Sequence, residues 1–341
     1  MAKKTILGID IGYDQLKLAL VAGGEVISTV STAMPENLMM EGRITSRETM
    51  SELIRTAMKD NNLKANYAAV VLPNEAVYVK NVSMPQMTVD QLVYNLPFEF
   101  NDYITGEIRD YVFDYAVLKD EEGEVQDDYP EAENAGKKMS LMAVGAERSL
   151  IEDAQAILRK AGLRMKIASP ALCSYINLIR AQKDSLYQMA DEFGILDLGY
   201  KEIRLYMFRG DRHVATRELE TGLSTLDDVI ADAFSVDVHL AHTYLMNNYE
   251  NCLEREECLA AYENIAVELM RAMNFYRFSN PDSTLSDLWL CGGGAVIRPL
   301  ADSIGEMLDM ELHPASELVP GGGAVEECNS FVQAVGVTFG M

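Results

Sequence analysis

The first thirty residues contain three short apolar runs separated by turns. The runs cover residues 5–9, 16–21 and 25–30, and Gly23 and Gly24 separate the last two. Apolar runs of this length, bounded by glycine-containing turns, are typical of β-strands joined as hairpins. The pattern therefore predicts a three-stranded antiparallel meander at the start of the chain.

The same pattern returns later and aligns with the first copy without a gap, at an offset of 187 residues. The second copy has apolar runs at residues 193–196, 203–208 and 213–219. The aligned pairs are Asp10 with Asp197, Gly12 with Gly199, Tyr13 with Tyr200, Lys17 with Arg204, Leu18 with Leu205 and Gly23 with Gly210. This repetition predicts a fold of two similar halves.

The segment between the two copies has a different pattern of apolar and polar residues. A helix is predicted at 46–61 from helical spacing of apolar residues, and a buried strand at 67–72. A strand, a helix, two strands and a helix are then predicted at 76–82, 88–100, 112–118, 141–144 and 148–161. That order is typical of a small α+β subdomain, here inserted at about 75–167. Residues 119–133 are rich in acids and predict a solvated loop or, alternatively, an acidic docking surface.

Helices and one short strand are predicted after the second copy. The helices are at 224–234, 238–249, 255–278, 299–308 and 329–339, and the strand is at 287–291. Three glycines, residues 292–294, directly follow this strand.

Composition limits the class of protein. The 341 residues have 48% apolar side chains and a net charge of −24, which suits a globular protein of about two domains. This acidic excess argues against binding to nucleic acid or directly to an anionic membrane. The five cysteines form no paired motif, and no apolar run is long enough to span a bilayer. We therefore expect a cytoplasmic protein with reduced thiols.

The two hairpin tips and the three glycines have residue types that suit a nucleotide. Each tip carries an Asp-x-Gly motif, in which the glycine lets backbone N–H groups approach phosphate oxygens. The carboxylate can hold magnesium through water molecules. Two facing hairpins could clamp a triphosphate, and the glycines at 292–294 leave space for a base and a ribose.

These motifs, in this order, resemble those of the actin-like ATPase superfamily, and within it the chain is most similar to the PilM family of type IV pilus assembly proteins. The resemblance runs from residue 6 to residue 339. The nucleotide motifs indicate the superfamily, whereas the inserted segment favours the PilM family. The stretches that carry it are GIDIG at 8–12, LPFEFNDYI at 96–104, DYVFDYAVL at 110–118, residues 142–162, SPAL at 169–172, LDLG at 196–199, ETG at 220–222 and LCGGGA at 290–295.

The resemblance implies an α/β actin-like fold of two RNase H-like domains, at 1–190 and 191–341, with the α+β subdomain inserted in the first. It implies ATP and magnesium as ligands, with Arg271 near the base and no assigned catalytic residue. The implied cofactor-binding residues are Asp10, Gly12, Lys17, Asp197, Gly199, Gly222, Gly292, Gly293 and Gly294, of which Asp10 and Asp197 hold magnesium through water.

Both hairpin tips depart from the family pattern. Family members usually carry small or hydroxyl residues there, whereas this chain has Tyr13 and Asp14 at the first tip and Tyr200 and Lys201 at the second. Bulky rings and an added negative charge oppose phosphate binding. Three interpretations stay open: a scaffold with weakened nucleotide chemistry, nucleotide binding with slow or no turnover, and efficient ATP hydrolysis.

The resemblance also implies a function and partners. The chain is expected to be a scaffold of type IV pilus or related secretion-system assembly that couples an assembly ATPase to the cytoplasmic tail of a PilN-like inner-membrane protein. We expect it at the inner face of the membrane through its partners, without direct insertion and without nucleic acid. Homo-oligomerisation stays open.

Other members of the superfamily offer alternative functions. An FtsA-like division protein typically ends in an amphipathic membrane helix, and residues 335–341 have no basic face. A small-molecule kinase needs a catalytic carboxylate and a substrate pocket, which the sequence does not identify. His239 and His242 have a spacing that could ligate metal, but without an evident third ligand we expect exposed or core histidines.

Overall fold

The computed structural model describes residues 5–118, 138–182, 191–320 and 326–340. The acidic stretch at 119–133 lies outside them, so its two interpretations stay predictions. The strands are β1 (Thr5–Ile11), β2 (Gln15–Ala22), β3 (Glu25–Ala33), β4 (Met39–Met40), β5 (Arg43–Ile44), β6 (Tyr67–Leu72), β7 (Val77–Pro85), β8 (Tyr111–Val117), β9 (Lys138–Glu147), β10 (Arg164–Pro170), β11 (Glu192–Leu198), β12 (Ile203–Arg209), β13 (Arg212–Leu219), β14 (Asp287–Cys291) and β15 (Glu311–Pro314).

The helices flank or join these strands. They are α1 (Arg47–Asp60), α2 (Val89–Asn95), α3 (Arg148–Lys160), α4 (Ala171–Ala181), α5 (Ser224–Phe234), α6 (Val238–Asn247), α7 (Glu256–Ser279), α8 (Arg298–Leu308) and α9 (Val332–Gly336). Short 3-10 helices lie at Asn74–Ala76, Leu96–Phe100, Ile108–Asp110, Tyr249–Glu254, Gly293–Val296, Ala315–Leu318, Glu326–Phe331 and Val337–Phe339. None of the helices in the described ranges is both long and apolar enough to cross a bilayer.

Two five-stranded sheets have the same topology. The first has the order β10-β6-β1-β2-β3 and the second β15-β14-β11-β12-β13, each an antiparallel meander extended by two parallel strands. The register repeats as well, because Asp10 pairs with Lys17 in one sheet and Asp197 with Arg204 in the other. The predicted duplication is therefore confirmed in three dimensions.

The helices and sheets form five layers. Helices α1 and α3 cover the outer face of the first sheet, and helices α5 to α8 cover the outer face of the second. Helices α4 and α9 lie between the two sheets in one continuous core, which includes Ile6 and Val21 from one half and Phe193 and Trp289 from the other. The two halves therefore share a buried apolar layer.

At Gly8, the backbone of β1 is in close contact with the backbone of α9 in this central layer. A Cβ atom at Gly8 would lie 1.7 Å from the backbone oxygen of Ala334, so only glycine fits. The helix predicted at 329–339 is correspondingly divided into α9 and two flanking 3-10 segments. The last elements of the chain thus complete the core between the sheets.

The inserted subdomain has a three-stranded sheet in the order β7-β9-β8, covered by α2. Its strand–helix–strand–strand–helix order agrees with the prediction. The helix predicted at 88–100 is wrong in its length, because α2 ends at Asn95 and a 3-10 turn follows with Pro97 near its start. Pro97 has no N–H to continue the α-helical bonds, which accounts for the change.

Candidate functional site

A deep cleft of about 630 Å³ opens between the two halves, at the turns that join β1 to β2 and β11 to β12. Its lining includes residues from both copies of the repeat and from the segment after β14. Seven of the nine predicted cofactor-binding residues line the cleft: Asp10, Gly12, Lys17, Asp197, Gly199, Gly292 and Gly293. Chain folding thus brings together seven positions scattered over most of the sequence.

Gly222 and Gly294 lie behind this lining. A Cβ at Gly222 would lie 2.4 Å from the backbone oxygen of Tyr200, and one at Gly294 would lie 2.8 Å from Cβ of Leu198. These two glycines let the second hairpin pack against the loops behind it. Arg271 is exposed on α7 and is absent from the described lining. The cofactor roles given to these residues stay predictions.

The two hairpin tips are built alike. The N–H of Gly12 donates to the backbone oxygen of Gln15 at 3.0 Å, and a Cβ at Gly12 would lie only 3.0 Å from that oxygen. At the aligned Gly199, a Cβ would lie 2.6 Å from the backbone oxygen of Glu202. Tight turning of the chain therefore requires glycine at Gly199 and favours it at Gly12, and the absence of a side chain leaves the approach to the cleft unobstructed at these points.

Gly292 has a left-handed backbone conformation, with φ of +85°. A Cβ there would lie 2.6 Å from the backbone oxygen of Leu198 and 2.7 Å from Oδ1 of Asp197. The glycine segment after β14 therefore passes directly over the second hairpin, and any larger residue would collide with the Asp197 carboxylate.

Two carboxylates, Asp10 and Asp197, occupy the floor of the cleft and share one nearby lysine. Burial raises the pKa of both, while the charge of Lys17 opposes that rise in each case. The charge of Asp197 also raises the pKa of Asp10. Lys17 Nζ lies 3.8 Å from Asp10 Oδ2. The floor therefore carries two mutually repelling acids that are incompletely compensated.

Gln333 on α9 orients the second of these carboxylates. Its amide Nε2 donates to Asp197 Oδ2 at 2.6 Å and to the hydroxyl of Tyr175 at 2.8 Å. The hydroxyl of Tyr175 in turn lies 3.3 Å from Cys291 Sγ. Sequence reasoning missed Gln333, because its only local signal is a polar residue within an apolar helix.

The two tip tyrosines lie at the mouth of the cleft with their hydroxyls engaged. Tyr13 donates to Glu75 Oε1 at 2.8 Å and accepts from the N–H of Gly42, also at 2.8 Å. Burial and the bond to Glu75 raise the pKa of Tyr13 to about 12. Tyr200 donates to Asp227 Oδ2 at 2.7 Å. Lys201 Nζ lies 6.0 Å from the centroid of each tyrosine ring.

His242 on α6 connects the two halves across this mouth. Its Nε2 lies 3.0 Å from Asp14 Oδ1 in the first hairpin, and its Nδ1 lies 3.1 Å from Asp227 Oδ2 on α5. Hydrogen bonds to Asp14 and Asp227 raise the pKa of His242 to about 10. The imidazole is therefore a cation that pairs with two carboxylates at neutral pH.

His239 also reaches the first half, because its Nδ1 lies 3.2 Å from Glu36 Oε1. His239 is exposed, as the sequence predicted, but His242 is neither an exposed nor a core histidine. In the sequence, the only signal for His242 was its spacing from His239. That spacing indicates that both lie on one face of a helix, but it does not reveal that His242 pairs across the cleft.

The wall beside the second hairpin is also charged. The Arg204 guanidinium donates to Glu218 Oε2 at 2.8 Å and pairs with Glu202. Burial raises the pKa of Glu202 to about 8, an effect that Arg204 opposes and that neighbouring carboxylates reinforce. Arg204 is thus engaged by two acids at the same position of the repeat where Lys17 stands in the first half.

Comparisons with known proteins agree with this geometry. A family model for type IV pilus assembly protein PilM matches residues 8–317. A solved PilM-PilN type IV pilus biogenesis complex is 24% identical over 97% of each chain, with a TM-score of 0.80. The ethanolamine utilization protein EutJ from Carboxydothermus hydrogenoformans is 12% identical over 98% of this chain and 88% of its own, with a TM-score of 0.61.

A protein from Bacteroides thetaiotaomicron, described as having an actin-like ATPase fold and unknown function, is 8% identical over 99% of this chain and 96% of its own, with a TM-score of 0.50. A search of curated proteins gives no match.

The three structural matches confirm the predicted α/β actin-like fold.

Proposed function

The chain belongs to the PilM family of type IV pilus assembly proteins, and we propose that it is a scaffold that binds ATP in its central cleft and a PilN-like membrane-protein tail on its inserted subdomain. The convergence of both repeat copies on one cleft carries the nucleotide part of the proposal. We assign the two actin-like domains to 1–190 and 191–341, with the subdomain at about 75–167.

The residues of the cleft fit a nucleotide with magnesium. A volume of about 630 Å³ lies within the range of about 300–1,000 Å³ typical of small-molecule sites. Two half-buried carboxylates beside one lysine leave negative charge that a divalent cation would neutralise. Asp10 and Asp197 would hold magnesium through water, and that ion would offset the charge of the phosphates.

We assign the remaining cleft residues to different parts of the nucleotide. Lys17 and Lys201 would face the phosphates, with Gly12 and Gly199 allowing close backbone approach. Gly292 and Gly293 would lie beside the adenosine, whereas Gly294 and Gly222 would support the loops behind it. These assignments rest on the cleft geometry and on the family resemblance.

We propose binding with little or no hydrolysis. Among the described lining residues, the carboxylates near the hairpin tips are already engaged, because Asp14 pairs with His242, Glu75 accepts from Tyr13 and Glu202 pairs with Arg204. A general base must be able to reach a water near the reacting phosphate. Nucleotide would then act as a ligand that sets the conformation of the scaffold.

The inserted subdomain offers an apolar face for the membrane-protein tail. Large apolar side chains are exposed on α2 and on the 3-10 turn that follows, at Val89, Val93, Tyr94 and Phe98. Tyr94 is 73% exposed and packs edge to face with Phe98. Contiguous exposed apolar surface of this kind is characteristic of protein interaction sites. Binding there would hold the protein at the inner face of the membrane, where an assembly ATPase is the proposed second partner.

Calorimetry of ATP binding with magnesium tests the nucleotide part. The wild-type protein should bind ATP with micromolar affinity, and Asp10→Ala should abolish binding. Exposed Asp302→Ala on α8 serves as a control for loss of one negative charge and should bind as the wild type does. Absence of binding at millimolar ATP would contradict the proposal.

A peptide from the cytoplasmic tail of a PilN-like protein tests the partner surface. Tyr94→Ala with Phe98→Ala should weaken binding at least tenfold, because exposed aromatic anchors dominate such interfaces. Phe278→Ala, which truncates an 85% exposed ring on α7, is the matched control. Equal affinity of both variants would place the tail elsewhere.

A further inference from the structure

Three potential metal ligands converge at the edge of the second sheet, on the parallel strands β14 and β15. Asp287 pairs with Glu311, and Trp289 pairs with His313, so both strands project these residues at a period of two. One ligand atom each from Asp287, Glu311 and His313 lies within 4.8 Å of the others. None of the three is among the described residues that line the cleft.

We propose that Asp287, Glu311 and His313 bind one divalent first-row transition ion of the zinc class. One imidazole nitrogen and two carboxylates are the donors that zinc accepts alongside a water. Zinc bonds of about 2.0–2.1 Å place neighbouring ligand atoms about 3.3 Å apart in a tetrahedral site. His313 Nε2 and Asp287 Oδ1 are already 2.9 Å apart, so this pair needs only a small opening. The ligand atom of the exposed Glu311, within 4.8 Å of the other two, completes the set.

The atoms that face away from the ion are held in place. The hydroxyl of Ser286 donates to Asp287 Oδ2 at 2.5 Å, which leaves Oδ1 for the metal. Glu317 Oε2 lies 4.0 Å from His313 Nδ1 and accepts from Trp289 Nε1 at 3.3 Å. The bond from Trp289 thus holds the Glu317 carboxylate on the far side of the histidine ring from the ion, beyond hydrogen-bond distance of Nδ1.

Ring stacking fixes the orientation of the histidine as well. The rings of Trp289 and His313 stack at 4.6 Å between centroids, with 23° between their planes. Preorganisation of this kind lowers the entropic cost of binding an ion. The His313 and Asp287 side chains are 13% and 14% exposed, whereas Glu311 is exposed, so an ion has a route in and room for water.

The ion would join the four-residue edge strand β15 to β14. Backbone pairing at this edge extends over Asp287 to Leu290 and is reinforced by a bond from the N–H of Glu311 to the oxygen of Ser286 at 2.9 Å. A metal that bridges both strands would therefore stabilise the sheet edge without any contribution from the cleft.

Titration of the full chain with zinc chloride, followed by calorimetry, tests the proposal. We expect one ion per chain and an affinity at least tenfold weaker in Glu311→Gln, whose exposed position preserves folding. His313→Gln should abolish binding. Cobalt(II) should give the visible absorption of a tetrahedral site in the wild type, and this absorption should disappear in His313→Gln.

Glu263→Gln removes one charge from an exposed position of α7 and should leave zinc affinity unchanged. Equal affinity of Glu311→Gln and wild type, or no binding to wild type, would overturn the proposal and leave only a hydrogen bond between Asp287 and His313. If His313→Gln fails to fold, the comparison of Glu311→Gln with Glu263→Gln decides the outcome.

Discussion

His242 lies 3.0 Å from Asp14, and this contact joins α6 of the second half to the first hairpin at the mouth of the cleft. The other imidazole nitrogen pairs with Asp227, whose side chain is fully buried. A buried carboxylate requires a partner charge or hydrogen bonds. The histidine therefore serves two purposes, because it compensates Asp227 and holds the two halves together.

Stability should fall at alkaline pH because of this histidine. Its pKa is about 10 in the folded protein and about 6.5 when unpaired, so its contribution is complete below pH 6.5 and is lost as pH rises towards 10. His242→Gln should lower the free energy of unfolding at pH 6.5 by about 3 kcal/mol. Chemical denaturation between pH 6 and pH 10 should show the gap between variant and wild type closing.

His239→Gln is the control for that series. Its pair with Glu36 is exposed on both sides, and such pairs contribute at most about 1 kcal/mol. A wild-type curve that runs parallel to the His242→Gln curve over the whole pH range would contradict the prediction.

Gln333→Leu should weaken binding of ATP with magnesium. Loss of the amide removes the 2.6 Å hydrogen bond to Asp197 and should raise the pKa of that carboxyl further, which disfavours the charged form that would hold the proposed magnesium ion. We expect about a tenfold weaker affinity by calorimetry near neutral pH. The effect should diminish as pH rises, whereas a purely steric effect would be independent of pH.

Gly8→Ala should strongly destabilise the protein. The new Cβ would lie 1.7 Å from the backbone oxygen of Ala334, so α9 must move out of the central layer at a cost of about 3 kcal/mol or more. Gly293→Ala is the matched control, since its Cβ would have ordinary contact at 3.7 Å. Denaturant unfolding of both variants measures the difference, and similar midpoints would count against the packing argument.

Thr88→Ala should loosen α2 without affecting the rest of the fold. Thr88 and Gln91 form reciprocal hydrogen bonds between side chain and backbone, and loss of such a cap costs about 1 kcal/mol. Hydrogen exchange should accelerate in Val89–Asn95. Ser46→Ala, which removes the cap of α1, should instead accelerate exchange in Arg47–Asp60. Faster exchange in both helices of either variant would contradict the assignment of local caps.

Local pattern was sufficient for many elements. The strand predicted at 67–72 and the strand at 287–291 have the observed bounds, because each is an apolar run that ends at a proline or at glycines. By contrast, β10 and β15 were not predicted. In each of these strands the alternation of apolar and polar residues is weak. Each is stabilised by pairing with a parallel strand that is distant in the sequence, and local sequence does not reveal such pairing.

By itself, the sequence determined the duplicated hairpins, the order of elements in the inserted subdomain and seven of the residues that line the cleft. Tertiary structure alone decided that Gln333 orients Asp197 and that His242 bridges Asp14 and Asp227. The reason is physical: strand alternation and glycine turns follow from neighbouring residues. Charge pairing across a cleft depends on which surfaces the packed central layer brings within hydrogen-bond distance.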